Sequence, residues 1–515
     1  MVPAKLPGMK VVTTEQMRAL DRRTIAAGTP GEVLMDRAGF AVARRVGELL
    51  RRRGGQSALF LAGKGNNGGD AIVAARHLAA AGGSATLLLF CRRGELRGDP
   101  LLHFQRLLNV TVVELPTVEQ LGQLVRDTDP GVIVDGLLGT GLSGDVREPS
   151  AGVIRWLNEL PALDPQHSAL ILSIDVPSGL DSDTGAVRGA AVRADVTVTM
   201  GQPKIGLLRG AALDHVGALE VADIGFPPSF VAEIATAVEL LTAAEARAVL
   251  PRRRREAHKG DFGHLLIVAG SEGYTGAPVL CGQAAARAGA GLVTLAVPRE
   301  IYPIVAANCP PEVMPQPLDR LGSRSVFDAV ALGPGLGQDE AVQRQVLRWL
   351  DECRRPMVVD ADGLNALARN VSVLNRIRAP LVLTPHPGEM ARLIGKTVAE
   401  VQARRWEVAR EFAANHEAVL VLKGAGTVVT DKTGPLWVNM TGNPGMAKGG
   451  MGDALTGIIG ALLAQGLTPL NAAQAGVFVH GQAGDLAAER CGETALLATD
   501  VITSLGDVWR ALAGR

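Results

Sequence analysis

Asn443-Pro-Gly-Met-Ala-Lys-Gly-Gly-Met-Gly-Asp453, followed at once by an apolar run through Ala464, governs the reading of this chain. Glycines at 445, 449, 450 and 452 leave backbone N–H groups uncovered, and the apolar run predicts a helix. Unpaired donors and the positive end of the helix dipole then face one small volume, which makes an anion site. Asp453 stands at that mouth, where a bound phosphate repels a carboxylate unless it serves something other than affinity. A general base for phosphoryl transfer fits the place.

Outward from this run, apolar segments at 265–269, 292–297, 329–332, 357–360, 381–383 and 419–422 alternate with helical segments. A second alternating series lies nearer the N-terminus, with apolar runs at 58–62, 85–90, 132–135 and 170–175 and helical segments at 71–80 and 101–108. Such alternation predicts βαβ units and mostly parallel sheets. The two series share no internal repeat, so the fold class is α/β in two unlike domains, 1–238 and 239–515. Thr13-Thr-Glu-Gln-Met17 and Thr242-Ala-Ala-Glu245 each predict a capped helix near the start of one domain.

The 515 residues are 47% hydrophobic and 20% charged, which suits packed α/β domains and excludes a disordered chain. Net charge is zero and aromatics are 3%, so neither a basic nucleic-acid surface nor a base-stacking platform is expected. Arg252 to Arg255 after Pro251 reads as a solvated linker. Five scattered cysteines form no C-x-x-C pair, arguing against zinc and a disulfide framework. The first residues lack a charged segment leading into an apolar core, and no apolar run reaches membrane-spanning length. A cytoplasmic protein, without membrane or nucleic-acid partners, is expected.

Gly63-Lys-Gly-Asn-Asn-Gly-Gly-Asp70 follows a predicted strand and formally satisfies G-x-G-x-x-G, and Arg92 and Arg93 could suit a 2′-phosphate. Asn66, Asn67 and Asp70, however, put amides and a carboxylate where a pyrophosphate would sit. Asp135, Asp175-Val-Pro-Ser-Gly179 and Lys204 lie at other strand ends, which in a parallel sheet share one carboxyl edge. Asn67, Asp135 and Ser178 are hard oxygen donors able to hold a monovalent or hard divalent cation. Any one of these acids alone also reads as an Asx-turn or N-cap.

These residues resemble a family. Asn66, Asn67, Gly68, Gly69 and Asp70, the run Asp135-Gly-Leu-Leu-Gly139, Gly144-Asp-Val-Arg-Glu-Pro149 and Asp175 to Gly179 are similar to the NAD(P)H-hydrate epimerase domain, in that order. The resemblance implies a Rossmann-like three-layer αβα domain. It implies contact of the hydrated nucleotide with Asn66 to Asp70, with Gly139, Thr140, Gly141, Leu142, Ser143, Gly144 and Asp145, and with Asp175. Potassium held by Asn67, Asp135 and Ser178 is implied, with Asp175 as the acid/base. Some relatives carry a lysine where this chain has Ser143; Lys204 is then a candidate for a second catalytic group.

In the second half, Lys423-Gly-Ala-Gly-Thr427 supplies a cation, two flexible glycines and a hydroxyl for a nucleotide phosphate. Gly333-Pro-Gly-Leu-Gly337 permits close backbone approach to a ligand. Prolines on both sides of His386 fix that imidazole as a ligand contact, whereas Asp360-Ala-Asp362 reads equally as an N-cap. No P-loop motif occurs. The Gly-Gly-Met-Gly-Asp pattern is similar to the signature of ribokinase-like kinases. With Gly273-Tyr-Thr-Gly-Ala277, Gly289-Ala-Gly-Leu-Val293 and the runs around Asp360 and His386, it resembles the ADP-dependent NAD(P)H-hydrate dehydratase domain.

That resemblance implies a ribokinase-like α/β domain in which Lys423, Gly424, Ala425, Gly426, Thr427 and Gly452 bind the adenine nucleotide. Ala277, Gly335 or Gly337, His386 and Asp453 then touch the hydrate, and Mg2+ accompanies ADP, with ATP the other candidate. The expected partners are the hydrates of NADH and NADPH, and a homo-oligomer is expected. The rival is a ribokinase-like small-molecule kinase whose first domain is a regulatory nucleotide-binding module.

Overall fold

The computed structural model describes residues 8–163, 169–321 and 326–514. They divide into two compact units: Lys10–Thr236, and Ala237–Arg515 together with Gly8 and Met9 from the start of the chain.

The first unit is built on a seven-stranded parallel sheet. In spatial order its strands are Thr111–Glu114, Ser84–Leu89, Ser57–Ala62, Val132–Gly136, Leu170–Ile174, Val196–Met200 and Ala218–Ala222. Side chains alternate between faces, so Ala58, Phe60 and Ala62 enter one apolar core and Leu59 and Leu61 another. Two cores on one sheet are the two interfaces of a three-layer αβα sandwich, and they explain why these strands read as unbroken apolar runs. The strand order turns back between Ser57–Ala62 and Val132–Gly136, and such a switch point opens a crevice at the carboxyl ends.

The second unit carries an eleven-stranded sheet running Met9–Lys10, Val238–Leu240, Leu436–Asn439, Thr427–Thr430, Val419–Leu422, Leu381–Leu383, Met357–Val359, Ala329–Leu332, His264–Val268, Leu292–Val297 and Val313–Pro317. The strands from Val419–Leu422 to Val313–Pro317 are parallel, whereas Thr427–Thr430 runs antiparallel to both its neighbours. Lys423 to Gly426 is therefore the turn of a hairpin, and Gly424 and Gly426 take φ of 121° and 62° there. The helix predicted after the glycine run spans Met451–Ala464 and is buried nearly all round. A helix apolar on every face belongs inside a core, and this one packs between the sheet and helix Gly276–Arg287. Contact is so close that a Cβ on Gly457 would sit 2.2 Å from the Cys281 carbonyl oxygen. Among the described residues no helix is long and apolar enough to cross a membrane.

Candidate active sites

Asp135 ends its strand with 0% exposure. One carboxylate oxygen accepts from Ser178 Oγ at 2.6 Å, the other from Ser173 Oγ at 2.8 Å and Ser178 N at 2.9 Å. Burial nevertheless raises its pKa. Ser178 Oγ accepts from Leu138 N at 2.8 Å, and Asn67 Nδ2 donates to Leu138 O at 2.7 Å. Asn67, Asp135 and Ser178 thus converge on one point through the Leu138 backbone. The turn before helix Asn66–Ala80 is tight: a Cβ on Gly68 would lie 1.9 Å from Gly63 O. Gly139 closes against Asn67, its Cβ position 3.3 Å from Asn67 Cγ. Beyond it Thr140 and Leu142 are half-buried, and Gly141, Ser143, Gly144 and Asp145 are exposed.

Asp175 occupies φ +62°, uncommon for a residue with a Cβ, and such strain concentrates at working sites. Its Oδ1 accepts from Met200 N at 3.0 Å, from Thr199 Oγ1 at 3.2 Å, and from Lys204 Nζ. Lys204, sealed at 1% exposure, also donates to Met200 O at 3.0 Å and Thr199 Oγ1 at 3.1 Å, so all its N–H groups are used. Asp70 is buried nearby, where burial and then Asp175 push its carboxyl well above the ordinary range. Asp135 and Asp175 belong to separate hydrogen-bond groups rather than one cluster.

In the second unit Gly450 caps the buried helix at φ +90° and Gly452 lies in its first turn. A Cβ on Gly452 would be 3.3 Å from Lys423 Nζ and 3.4 Å from Asp360 Oδ2, which places the hairpin lysine at the helix mouth. Lys423 Nζ donates to Asp360 Oδ1 at 2.6 Å and stands 3.8 Å from Glu389 Oε2. Asp360 Oδ2 accepts from Thr456 Oγ1 at 2.7 Å. Burial works against the Lys423 charge, yet Asp360 and Glu389 hold its pKa above the ordinary value. Burial, and then Asp360, raise Asp453 to about 6; burial raises Glu389 to about 7. His386 caps its helix through Nδ1, which accepts from Gly388 N at 3.0 Å and Glu389 N at 3.3 Å. Burial, and then Lys423, lower its pKa, which favours the neutral form of the half-exposed ring.

Ala277 and Gly335 meet, the Cβ position of Gly335 lying 3.1 Å from Ala277 Cβ. Gly337 turns instead toward Asp362, whose Oδ2 accepts from its N–H at 2.9 Å. In the Asp360-Ala-Asp362 run it is Ala361 that takes the cap position, at φ +47°, ψ −119°, without a side-chain cap. The hairpin turn is backed by Arg405, which donates to the carbonyls of Leu422 and Lys423 at 3.1 and 3.0 Å; Thr427 Oγ1 closes the turn on Gly424 O at 2.7 Å, and Ala425 is exposed. Sequence reasoning did not assign roles to Asp485, Thr456 or Glu389. Asp485 accepts from Gly442 N at 2.9 Å and Asn443 Nδ2 at 3.0 Å, tying down the start of the glycine run. No sequence pattern links positions so far apart.

A family model described as NAD(P)H-hydrate dehydratase matches residues 265–506, and one described as YjeF-related protein N-terminus matches residues 31–206. The bifunctional NAD(P)H-hydrate repair enzyme Nnr of Moorella thermoacetica is 41% identical over 526 residues, covering 98% of this chain and 97% of its own. The protein of the same name from Escherichia coli K12 is 44% identical over 378 residues, 73% of this chain and 70% of its own. Among solved structures, the ADP/ATP-dependent NAD(P)H-hydrate dehydratase of Bacillus subtilis, co-crystallised with ATP and Mg2+, is 34% identical. It covers 54% of this chain and 100% of its own, with a TM-score of 0.49. With a relative aligned from end to end and a model matching each half, the chain belongs to the bifunctional NAD(P)H-hydrate repair enzyme family.

Proposed function

We propose that this chain repairs hydrated nicotinamide nucleotides in two steps. The first unit exchanges the R and S forms at C6 of the NADH and NADPH hydrates. The second dehydrates the S form to the dihydronicotinamide at the expense of ADP. The observation that carries the reading is family membership over the whole length, with each half holding its own strand-edge site. In the first site Asp175 is the acid/base, oriented by Lys204, Thr199 and the Met200 amide.

Asn67, Asp135 and Ser178 fit a potassium ion. Their oxygens are hard donors, and buried Asp135 has no cationic side chain among its hydrogen-bond partners in the described residues. Potassium there would balance the Asp135 charge and brace the Leu138 backbone from which residues 139–145 extend.

Hydroxide is a poor leaving group, so the second site phosphorylates the C6 hydroxyl; phosphate then departs with the C–O electron pair as the N1 lone pair assists, and loss of a C5 proton to solvent forms the C5–C6 double bond. Asp453 takes the hydroxyl proton while the N–H groups at the glycine mouth hold the transferring group. Lys423 to Thr427 and Gly452 contact the nucleotide phosphates; Ala277, Gly335 and His386 face the hydrate. Among the described residues no three His, Cys, Asp or Glu side chains surround a metal site. Magnesium would be held chiefly by the nucleotide phosphates, since Asp360 and Glu389 beside Lys423 are both sealed and already engaged with it. Bound, it would neutralise developing phosphate charge.

The test supplies the R epimer alone with ADP and Mg2+ and follows dihydronicotinamide absorbance. Regeneration of the dinucleotide with release of phosphate is expected. Accumulation of a stable phosphorylated substrate would establish the small-molecule kinase reading instead.

A further inference from the structure

The N-terminal helix Thr14–Ala26 lies before the stretch matched by the first family model, which begins at residue 31. It is nevertheless bolted to the first site on three sides. Just ahead of it, Val12 N donates to Pro203 O and Ile205 N donates to Val12 O, both at 2.9 Å, so the chain pairs across Lys204. Thr14 Oγ1 lies 2.7 Å from Ser182 Oγ, and Thr14 N donates to Asp183 Oδ1 at 2.7 Å. Met17 Cε comes within 3.2 Å of the Cβ position of Gly201, between Met200 and Lys204. On the adjacent flank Arg18 Nη2 donates to Thr140 O at 3.0 Å, holding the loop expected to cover the hydrate.

Thr14, Met17, Asp21 and Thr24 follow one another at three- and four-residue steps, which is one stripe of a helix. Its other three members are buried, so the stripe that meets the site includes a carboxylate, half-buried and within electrostatic reach of Lys204 and Asp175. We propose that this helix is a wall of the epimerase site, with Arg18 steadying residues 139–145 and Asp21 serving as a second acid/base group opposite Asp175. The inference rests on the epimerase reading above.

Inverting C6 by replacing its hydroxyl needs a proton donor on one face and a proton acceptor on the other. The Asp21 carboxyl donates its proton to the C6 hydroxyl. The C–O bond then breaks with its electron pair leaving on water, and the N1 lone pair closes a C6–N1 double bond. Water adds to the other face as that double bond opens back to N1, and its surplus proton goes to Asp175. The proton returns to Asp21 through solvent before the next turnover, and the reverse direction exchanges the two roles. Charge supports this division. Asp175 is hydrogen-bonded to the Lys204 ammonium, whereas burial raises Asp21 to about 6 despite Lys204, with Asp175 adding to the rise. The groups facing Asp21 are Lys204, Asp175, Asp70 and, on its own helix, Arg22.

The experiment measures R-to-S exchange by the full chain as a function of pH for wild type, Asp21→Asn, Asp21→Glu and Arg18→Ala. Dehydration of supplied S epimer in the same preparations serves as the folding control. Asp21→Asn is expected to slow exchange about 10²- to 10³-fold and to abolish the fall in rate as pH rises through about 6. Asp21→Glu should restore part of the rate, and Arg18→Ala should raise the hydrate KM more than it lowers kcat. Normal exchange in Asp21→Asn with the alkaline limb intact would overturn the inference and leave the epimerase reading standing. Absence of exchange in the wild type would remove both.

Discussion

Both sites contain a lysine paired with a strand-end aspartate, yet the two pairs are inverted in exposure. In the first unit Lys204 is sealed at 1% and Asp175 is 16% accessible; in the second Asp360 is sealed at 2% and Lys423 is 17% accessible. The buried member holds the other in place, and the accessible member is the one left open to a ligand. The first site therefore offers a carboxylate, suited to moving a proton. The second offers an ammonium, suited to a phosphate. On the proposed function, two unlike sheets reach different chemistry from one kind of ion pair by choosing which end to hide.

The sharpest way to break this comparison is to remove one proton-transfer group at a time. Asp453→Asn is expected to lower S-epimer dehydration by about 10³- to 10⁴-fold and leave epimer exchange unchanged; Asp175→Asn should do the converse, by about 10²- to 10³-fold. Loss of both activities from either change would mean that the sites are not independent. Next comes stability. Lys423→Met strands a sealed Asp360 and should cost about 3–5 kcal/mol. Lys204→Met leaves a more accessible Asp175 that keeps the Met200 amide and Thr199, and should cost less. Denaturant unfolding with hydrogen exchange to localise the loss would show the ranking, and equal costs would contradict the inverted-burial argument.

A smaller contrast lies in pH. With Asp453 as the proposed base, dehydration needs it ionised, and the rate should rise roughly tenfold from pH 5 to 7 through the group's pKa of about 6. With Asp21 in its proposed role, exchange needs it protonated and should fall over the same interval. Stability runs opposite to dehydration. A carboxyl whose folded pKa lies above its unfolded value costs nothing below about 4 and its full amount above about 6, so the Asp453 contribution improves on acidification. The smallest effect concerns backbone strain: Ala361→Gly should relax φ +47° and stabilise the second unit by about 1 kcal/mol, read as a rise of a few degrees in Tm.

Most strands buried on both faces were legible, because they are continuous apolar runs that glycine or an acid terminates; Val196–Met200, broken by two threonines, and the short Leu436–Asn439 are equally buried and were not anticipated. Other elements that escaped lack this signature. Thr427–Thr430 opens on the last residue of the phosphate motif Lys423 to Thr427, Val313 to Pro317 carries two prolines, and Met9–Lys10 is too short for periodicity. At the sites, motif residues within one loop could be grouped from sequence, as with Asn67 beside Gly68. Partnerships across elements could not. The Lys423–Asp360 pair spans 63 positions and the Asp485–Asn443 contact 42, and nothing local marks either. Asp21 was invisible for another reason: a single acid on an amphipathic helix ordinarily faces water.

Gly8 and Met9 group with the later unit, and the strand Met9–Lys10 borders Val238–Leu240 at the end of the eleven-stranded sheet. The boundary between halves is thus not a single point on the chain. A fragment beginning at Ala237 would lose that flanking strand and expose the outer edge of Val238–Leu240, whose other edge stays paired with Leu436–Asn439, an invitation to strand addition between copies. Anyone dissecting the two activities should therefore inactivate one site by point substitution in the intact polypeptide, or graft the opening segment onto the later fragment. Self-association of a simple cut would otherwise be mistaken for a property of the enzyme.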